Sequence, residues 1–137
     1  MRAMAPALCL LLVIAAPAFA EGESDVDCAN ATAQRDLNAC AYQEYEAADV
    51  ELNAVYRQAV TAAGNIDKEL DGADVGAGEA LKKAQRAWIA YRDGQCELAG
   101  FQARGGQAEP MLVSGCLAAL TQKRTAELKE FLETQGN

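Results

Sequence analysis

The chain has no histidine among its 137 residues, and that absence excludes more chemistry than any motif it contains. The commonest general base is missing, with every Ser-His or Cys-His nucleophile pair and the usual transition-metal ligand. Ser24 and Ser114 therefore have no activating partner in view. No phosphate-cradling glycine loop is present either, because Gly76-Ala77-Gly78 lacks the preceding strand that a dinucleotide fingerprint needs. No segment alternates apolar and polar residues as a half-buried strand does. The best remaining catalytic arrangement is Asp93 with Glu97, four residues apart. On a helix such a pair serves as solvated acids or as partners of Arg92 and Arg86. The expectation is a protein that is not an enzyme and holds no cofactor.

Basic residues are also scarce. Met1–Ala20 reads as a secretory signal, with Arg2, an apolar run from Leu8 to Ala16, and Ala18-Phe19-Ala20 as an A-x-A cleavage site. The run is broken by Pro17 and falls short of the roughly 20 apolar residues of a membrane span. Cys9 lies inside the run rather than just after it, which argues against a lipoprotein. The expected product, residues 21–137, is one domain, exported to the periplasm or secreted. Without Arg2 it has 11 basic and 20 acidic residues, a formal charge of −9. Such a surface excludes nucleic acid, which is held by lysine and arginine displacing counterions. It disfavours anionic lipid and favours a basic protein partner.

What is present is helical period. From Gln34 to Ala63, Leu37, Ala41, Tyr45, Ala48, Leu52, Val55 and Ala59 recur at intervals of three and four, the mark of a helix with one buried stripe. Thr32 is the expected N-cap and Gly64-Asn65 the expected stop. Residues 64–78 are acidic, glycine-rich and aperiodic, and read as a mobile loop with at most a helical turn around Lys68–Leu70. A second helix is expected over Glu79–Phe101, carrying Leu81, Gln85, Trp88, Tyr91 or Arg92, Gln95 and Leu98. After Gly105-Gly106 and Pro110, a third carries Leu112, Val113, Cys116, Leu117, Leu120, Arg124, Leu128 and Phe131 or Leu132. The fold class is all-α, a three-helix antiparallel bundle.

Four cysteines follow the signal: Cys28, Cys40, Cys96 and Cys116. An even number in an exported chain implies two disulfides. In this topology the start of the first helix, the end of the second and the start of the third share one end of the bundle. All three pairings are sterically open there. Cys28–Cys40 with Cys96–Cys116 is favoured, because each ties neighbours in the chain and each short loop is worth about 3 kcal/mol. Zinc is disfavoured by the lack of any C-x-x-C knuckle.

The densest stretch of specific residue types is Gln85-Arg86-Ala87-Trp88-Ile89-Ala90-Tyr91-Arg92-Asp93-Gly94-Gln95-Cys96. Trp88 should anchor the core with its indole N–H on an acceptor, and Arg92 should pair with an acid of the first helix, Asp49. Gln85, Trp88, Tyr91, Arg92, Asp93 and Asp49 thus form a packing motif. Together with Asp27-Cys28-Ala29, Leu37-Asn38-Ala39-Cys40-Ala41, residues 48–56 and Cys116-Leu117-x-x-Leu120-Thr121-x-x-Arg124-x-x-x-Leu128, this stretch resembles the LprI-type lysozyme-inhibitor family over nearly all of 27–132. The resemblance implies a helical, disulfide-bonded, exported protein, with lysozyme inhibition attributed to some members. Family members often carry a threonine where this chain has Ala33, so a weaker cap is expected there.

Two functions of different classes follow. One is binding and inhibition of lysozyme, a basic target that cleaves peptidoglycan with two carboxylates in a cleft. The other is a structural or accessory binding role in the cell envelope. For the first, the candidate partner-binding residues are Asp67, Glu69, Asp71 and Asp74, since loops on a rigid scaffold carry binding residues.

The exported protein should begin at Glu21 and contain no free thiol. Intact mass before and after reduction checks both, and a chain that retains Cys9 or reacts with a thiol reagent before unfolding contradicts them.

Overall fold

The computed structural model describes residues 26–135, so the signal segment and the Glu21 start lie outside it. Three helices account for most of these residues: α1 (Gln34–Glu69), α2 (Ala77–Gly100) and α3 (Glu109–Gln135). Short 3₁₀ turns at Gly72–Asp74 and Phe101–Ala103 lie in the two connections. There is no strand among the described residues.

The helices run up, down and up. α2 is antiparallel to both neighbours, and α3 runs parallel to α1. The parallel register is constant along the bundle. Gln34 Nε2 donates to Met111 Sδ at 3.7 Å, Gln122 Nε2 to Glu44 at 3.2 Å, and Lys129 pairs with Glu51.

α1 is longer than its sequence suggests. It passes through Gly64-Asn65, the expected stop, and continues to Glu69. A helical glycine costs about 1 kcal/mol relative to alanine. Packing outweighs that cost: Ala59 and Ala63 are buried just before the glycine, and Ile66 and Asp67 are half-buried just after it. The turn uses Gly72 and Gly76, whose φ angles of 63° and 150° suit glycine. At the other end Ala33, not Thr32, is the N-cap, and it makes no side-chain cap bond. The entering chain is fixed instead by Asp27, which accepts from Ala29 N–H and Asn30 Nδ2 at 3.1 and 2.7 Å. The disulfide Cys28–Cys40 holds it on the first turns of α1. The second bridge, Cys96–Cys116, joins the end of α2 to the start of α3.

The seam between the helices is built of small and polar residues. α1 buries Ala48, Leu52, Val55, Ala59 and Ala63, and α3 buries Ser114, Ala118, Thr121, Thr125 and Leu128. These recur at threes and fours, as in a coiled coil. On α3 the buried face is thus one step away from the large residues expected there. Leu112, Val113, Cys116, Leu117 and Leu120 are only half-buried and flank the seam. Where α2 meets α3 the approach is close at Gly100, since a Cβ there would lie 2.7 Å from Val113 Cγ2. Among the described residues the apolar core cluster is Leu52, Val55, Ala59 and Leu128, covered by Tyr56, Leu81, Trp88, Phe131 and Leu132.

Thr121 is fully buried and its hydroxyl has no hydrogen-bond partner, whereas Thr125 donates to the Thr121 carbonyl at 3.0 Å. Leaving a buried hydroxyl unpaired costs about 1–3 kcal/mol. Thr121→Val keeps the shape and removes that cost, so it should raise the unfolding free energy by about 1 kcal/mol. Urea titration followed by circular dichroism reads the change, and a loss of stability would contradict the assignment.

Candidate functional site

The motif residues converge around one guanidinium. Arg92 projects from the middle of α2 with its side chain 10% exposed. Its Nη1 lies 3.6 Å from Asp49 of α1, and its Nε and Nη2 each lie 2.9 Å from Asp93 Oδ1. The carbon at its centre sits 5.1 Å from the Trp88 ring centroid and 5.6 Å from that of Tyr45. A cation held between two π faces and two carboxylates is compensated by charge and by stacking. Asp49 is itself oriented by Asn53 Nδ2 at 2.8 Å. Helical spacing explains the assembly, because Tyr45, Asp49 and Asn53 lie on successive turns of α1.

Two turns earlier on α2, buried Gln85 accepts from Arg124 Nε of α3 at 3.1 Å, and Arg124 also pairs with Glu127 at 3.0 Å. Trp88 is half-buried against the apolar cluster. Among the described residues its indole N–H has no acceptor, contrary to expectation. Tyr91 does not join this group. It is 57% exposed, and Arg92 takes the inward position that the sequence left open between the two. Tyr45, Asn53 and Arg124 were absent from the expected motif, although Tyr45 stood in the apolar stripe and Arg124 interrupted one. These groups stack, bridge and fix register. Asp93 is paired with Arg92.

The four acids expected in one loop are divided by the structure. Asp67 lies within α1, and its carboxylate accepts the backbone N–H groups of Gly76, Ala77 and Gly78 at 2.8, 2.7 and 2.9 Å. It is an N-cap for α2 supplied from another helix. These three bonds, that from Gly78 foremost, hold its pKa below the usual 3.8 against a small opposing effect of burial. Glu69 ends α1, and Asp71 and Asp74 flank the following turn. All three are exposed. At the opposite end Glu109 does similar work in the second connection. It accepts Gly105 N–H at 2.7 Å and pairs with Arg104 at 2.8 Å, which lowers its pKa.

Among the described residues there is no cluster of ligands able to hold a metal ion, and no helix long and apolar enough to cross a membrane. An open groove of about 380 Å³ runs between the first half of α2 and the last half of α3, lined by Ala77, Ala80, Leu81, Ala84, Leu128 and Phe131.

Residues 27–128 match the family model described as lysozyme inhibitor LprI. The chain is 65% identical over its whole length, and over the whole of the other protein, to uncharacterized protein R02472 of Rhizobium meliloti (strain 1021). A shorter similarity, 35% over 63 residues, covers 45% of this chain and 39% of uncharacterized protein YecT of Escherichia coli (strain K12). No solved structure matches.

The Asp67 cap gives a pH prediction with a definite sign. A carboxylate whose folded pKa is depressed stabilises the fold above its unfolded value, here 3.8, and the contribution is lost as pH falls through the folded value. Asp67→Asn should therefore lower the Tm at neutral pH, and the parent and variant curves should converge as pH falls below 3.8 and through the folded value. Thermal melts across that range decide it, and parallel curves would refute the role.

Proposed function

Because the chain belongs to the LprI lysozyme-inhibitor family, we propose that it is an exported protein that binds lysozyme and inhibits it, protecting the cell wall. The family match carries this reading, and two physical features support it. Two disulfides suit an oxidising compartment such as the periplasm or the cell exterior. The formal charge of −9 after export complements a basic enzyme and speeds encounter at low ionic strength. Activity rests on binding, with no group of the chain acting on a substrate.

The inhibitory surface is assigned to the end of the bundle where α1 passes into α2. Glu69, Asp71 and Asp74 present exposed carboxylates there. Asp67 works differently: it ties the connection to the start of α2 and so holds the other three on a rigid support. A lysozyme cleft works through two carboxylates, so acids are suited to its basic rim rather than to its catalytic pair.

Equimolar addition should slow lysis of a cell-wall suspension by lysozyme. The variant Glu69→Gln/Asp71→Asn/Asp74→Asn should keep the parent's helicity and Tm, yet bind lysozyme more weakly and with a flatter dependence on salt, since exposed charges are screened beyond about 8–10 Å. Unchanged lysis with the parent protein would favour an accessory envelope role instead. Undiminished inhibition by the variant would move the surface to the Gly105-Gly106 turn.

A further inference from the structure

α2 carries two stripes, and the bundle uses only one. Leu81, Gln85, Trp88, Arg92 and Cys96 face the neighbouring helices. A second series, at positions 80, 84, 87, 91, 94, 98 and 101, recurs at intervals of 4, 3, 4, 3, 4 and 3. It contains no charged residue, and every member is exposed. Its large members, Tyr91, Leu98 and Phe101, are 57, 63 and 53% exposed. The stripe runs about 33 Å along the helix. An apolar heptad series on a helix is the seam of a coiled coil.

The stripe is complementary to itself when reversed. Its bulky residues, Leu98 and Phe101, lie at one end, while Ala80 and Ala84 lie at the other and border the 380 Å³ groove. An antiparallel copy centred near Tyr91 sets Phe101 of the second copy opposite Ala80, Leu98 opposite Ala84, and Gly94 opposite Ala87. Bulk then enters the groove at both ends. The charges agree with this arrangement. On the outer flank, Lys83, Ala90 and Glu97 recur at sevens, and neither Lys83 nor Glu97 has an ion-pair partner among the described residues. Reversal brings Lys83 of each copy beside Glu97 of the other, twice over. A parallel pair would set this flank against the opposite flank of its partner, Trp88, Gln95 and Gln102, and leave both charges unmatched.

We propose that α2 is the interface of a homodimer, two copies of this chain packing antiparallel about a two-fold axis at Tyr91. The contact is isologous and closes at two subunits. One helix face per copy makes a small interface, and its affinity is of micromolar order. The proposal is independent of any action on lysozyme.

Sedimentation equilibrium of the exported, disulfide-bonded protein, from about 1 µM to about 1 mM, tests it across the range that such an interface spans. The mass should double with concentration. Leu98→Asp should stay monomeric throughout while keeping the parent's helicity and melting profile when dilute. Lys83→Glu alone and Glu97→Lys alone each turn two attractive pairs repulsive, and each should weaken the dimer about tenfold or more. The double substitution restores opposite charges at both sites and should recover an affinity close to the parent's. A parent that remains monomeric to about 1 mM would overturn the proposal and leave the stripe to a different protein. So would a dimer that Leu98→Asp does not disturb, or a double variant as weak as the single ones.

Discussion

The Arg92 guanidinium is the interaction on which the rest of this bundle depends. A buried cation is tolerable only where charge and stacking replace its water, and here the replacements come from two helices. Asp49 and Tyr45 are supplied by α1, Trp88 and Asp93 by α2 itself. Sliding α1 past α2 by a turn would strip the cation of its α1 partners and leave it uncompensated. Register is therefore set at mid-bundle by a polar contact, because the fully buried apolar cluster of Leu52, Val55, Ala59 and Leu128 is too small to fix it by shape.

Two further pins act at the ends. The disulfides fasten the entering chain to α1, and α2 to α3, at one end. At the other, the Asp67 carboxylate clamps the start of α2 through three backbone bonds. With ends and middle fixed by covalent and polar contacts, the seam between can consist of alanine, serine and threonine, and the helices can lie close together. The same economy leaves larger apolar residues outside the seam. On α3 they flank the groove, and on α2 they form the stripe ending in Leu98 and Phe101.

This division of labour bears on function. A chain that spends Arg92, Asp49, Asp93, Gln85 and Arg124 on holding itself together keeps those residues away from a target. What it offers to partners is surface: exposed acids beyond α1, and an uncharged face on α2. The chain's densest motif, residues 85–96, is thus a motif of fold, and its presence says how the protein is built rather than what it grips.

The sequence by itself determined the helix count and the up-down-up order, because periodicity of threes and fours is a local property. It favoured the cysteine pairing through short intervals, but with three helix ends at one pole only the structure selected among the three. It also placed Arg92 opposite Asp49, since an acid and an arginine on facing stripes are legible without coordinates. Only the tertiary structure decided the rest. Gly64 looked like a stop because local propensity disfavours it, yet burial on both sides carries α1 onward to Glu69. The buried face of α3 fell on Ser114, Ala118, Thr121 and Thr125 with Leu128, leaving Leu112, Leu117 and Leu120 at its flanks, and no local pattern encodes how helices are rotated against one another. Asp67 read as one free acid among four. Its carboxylate became a cap because the fold brings a second helix's unpaired N–H groups within reach, nine to eleven residues along the chain.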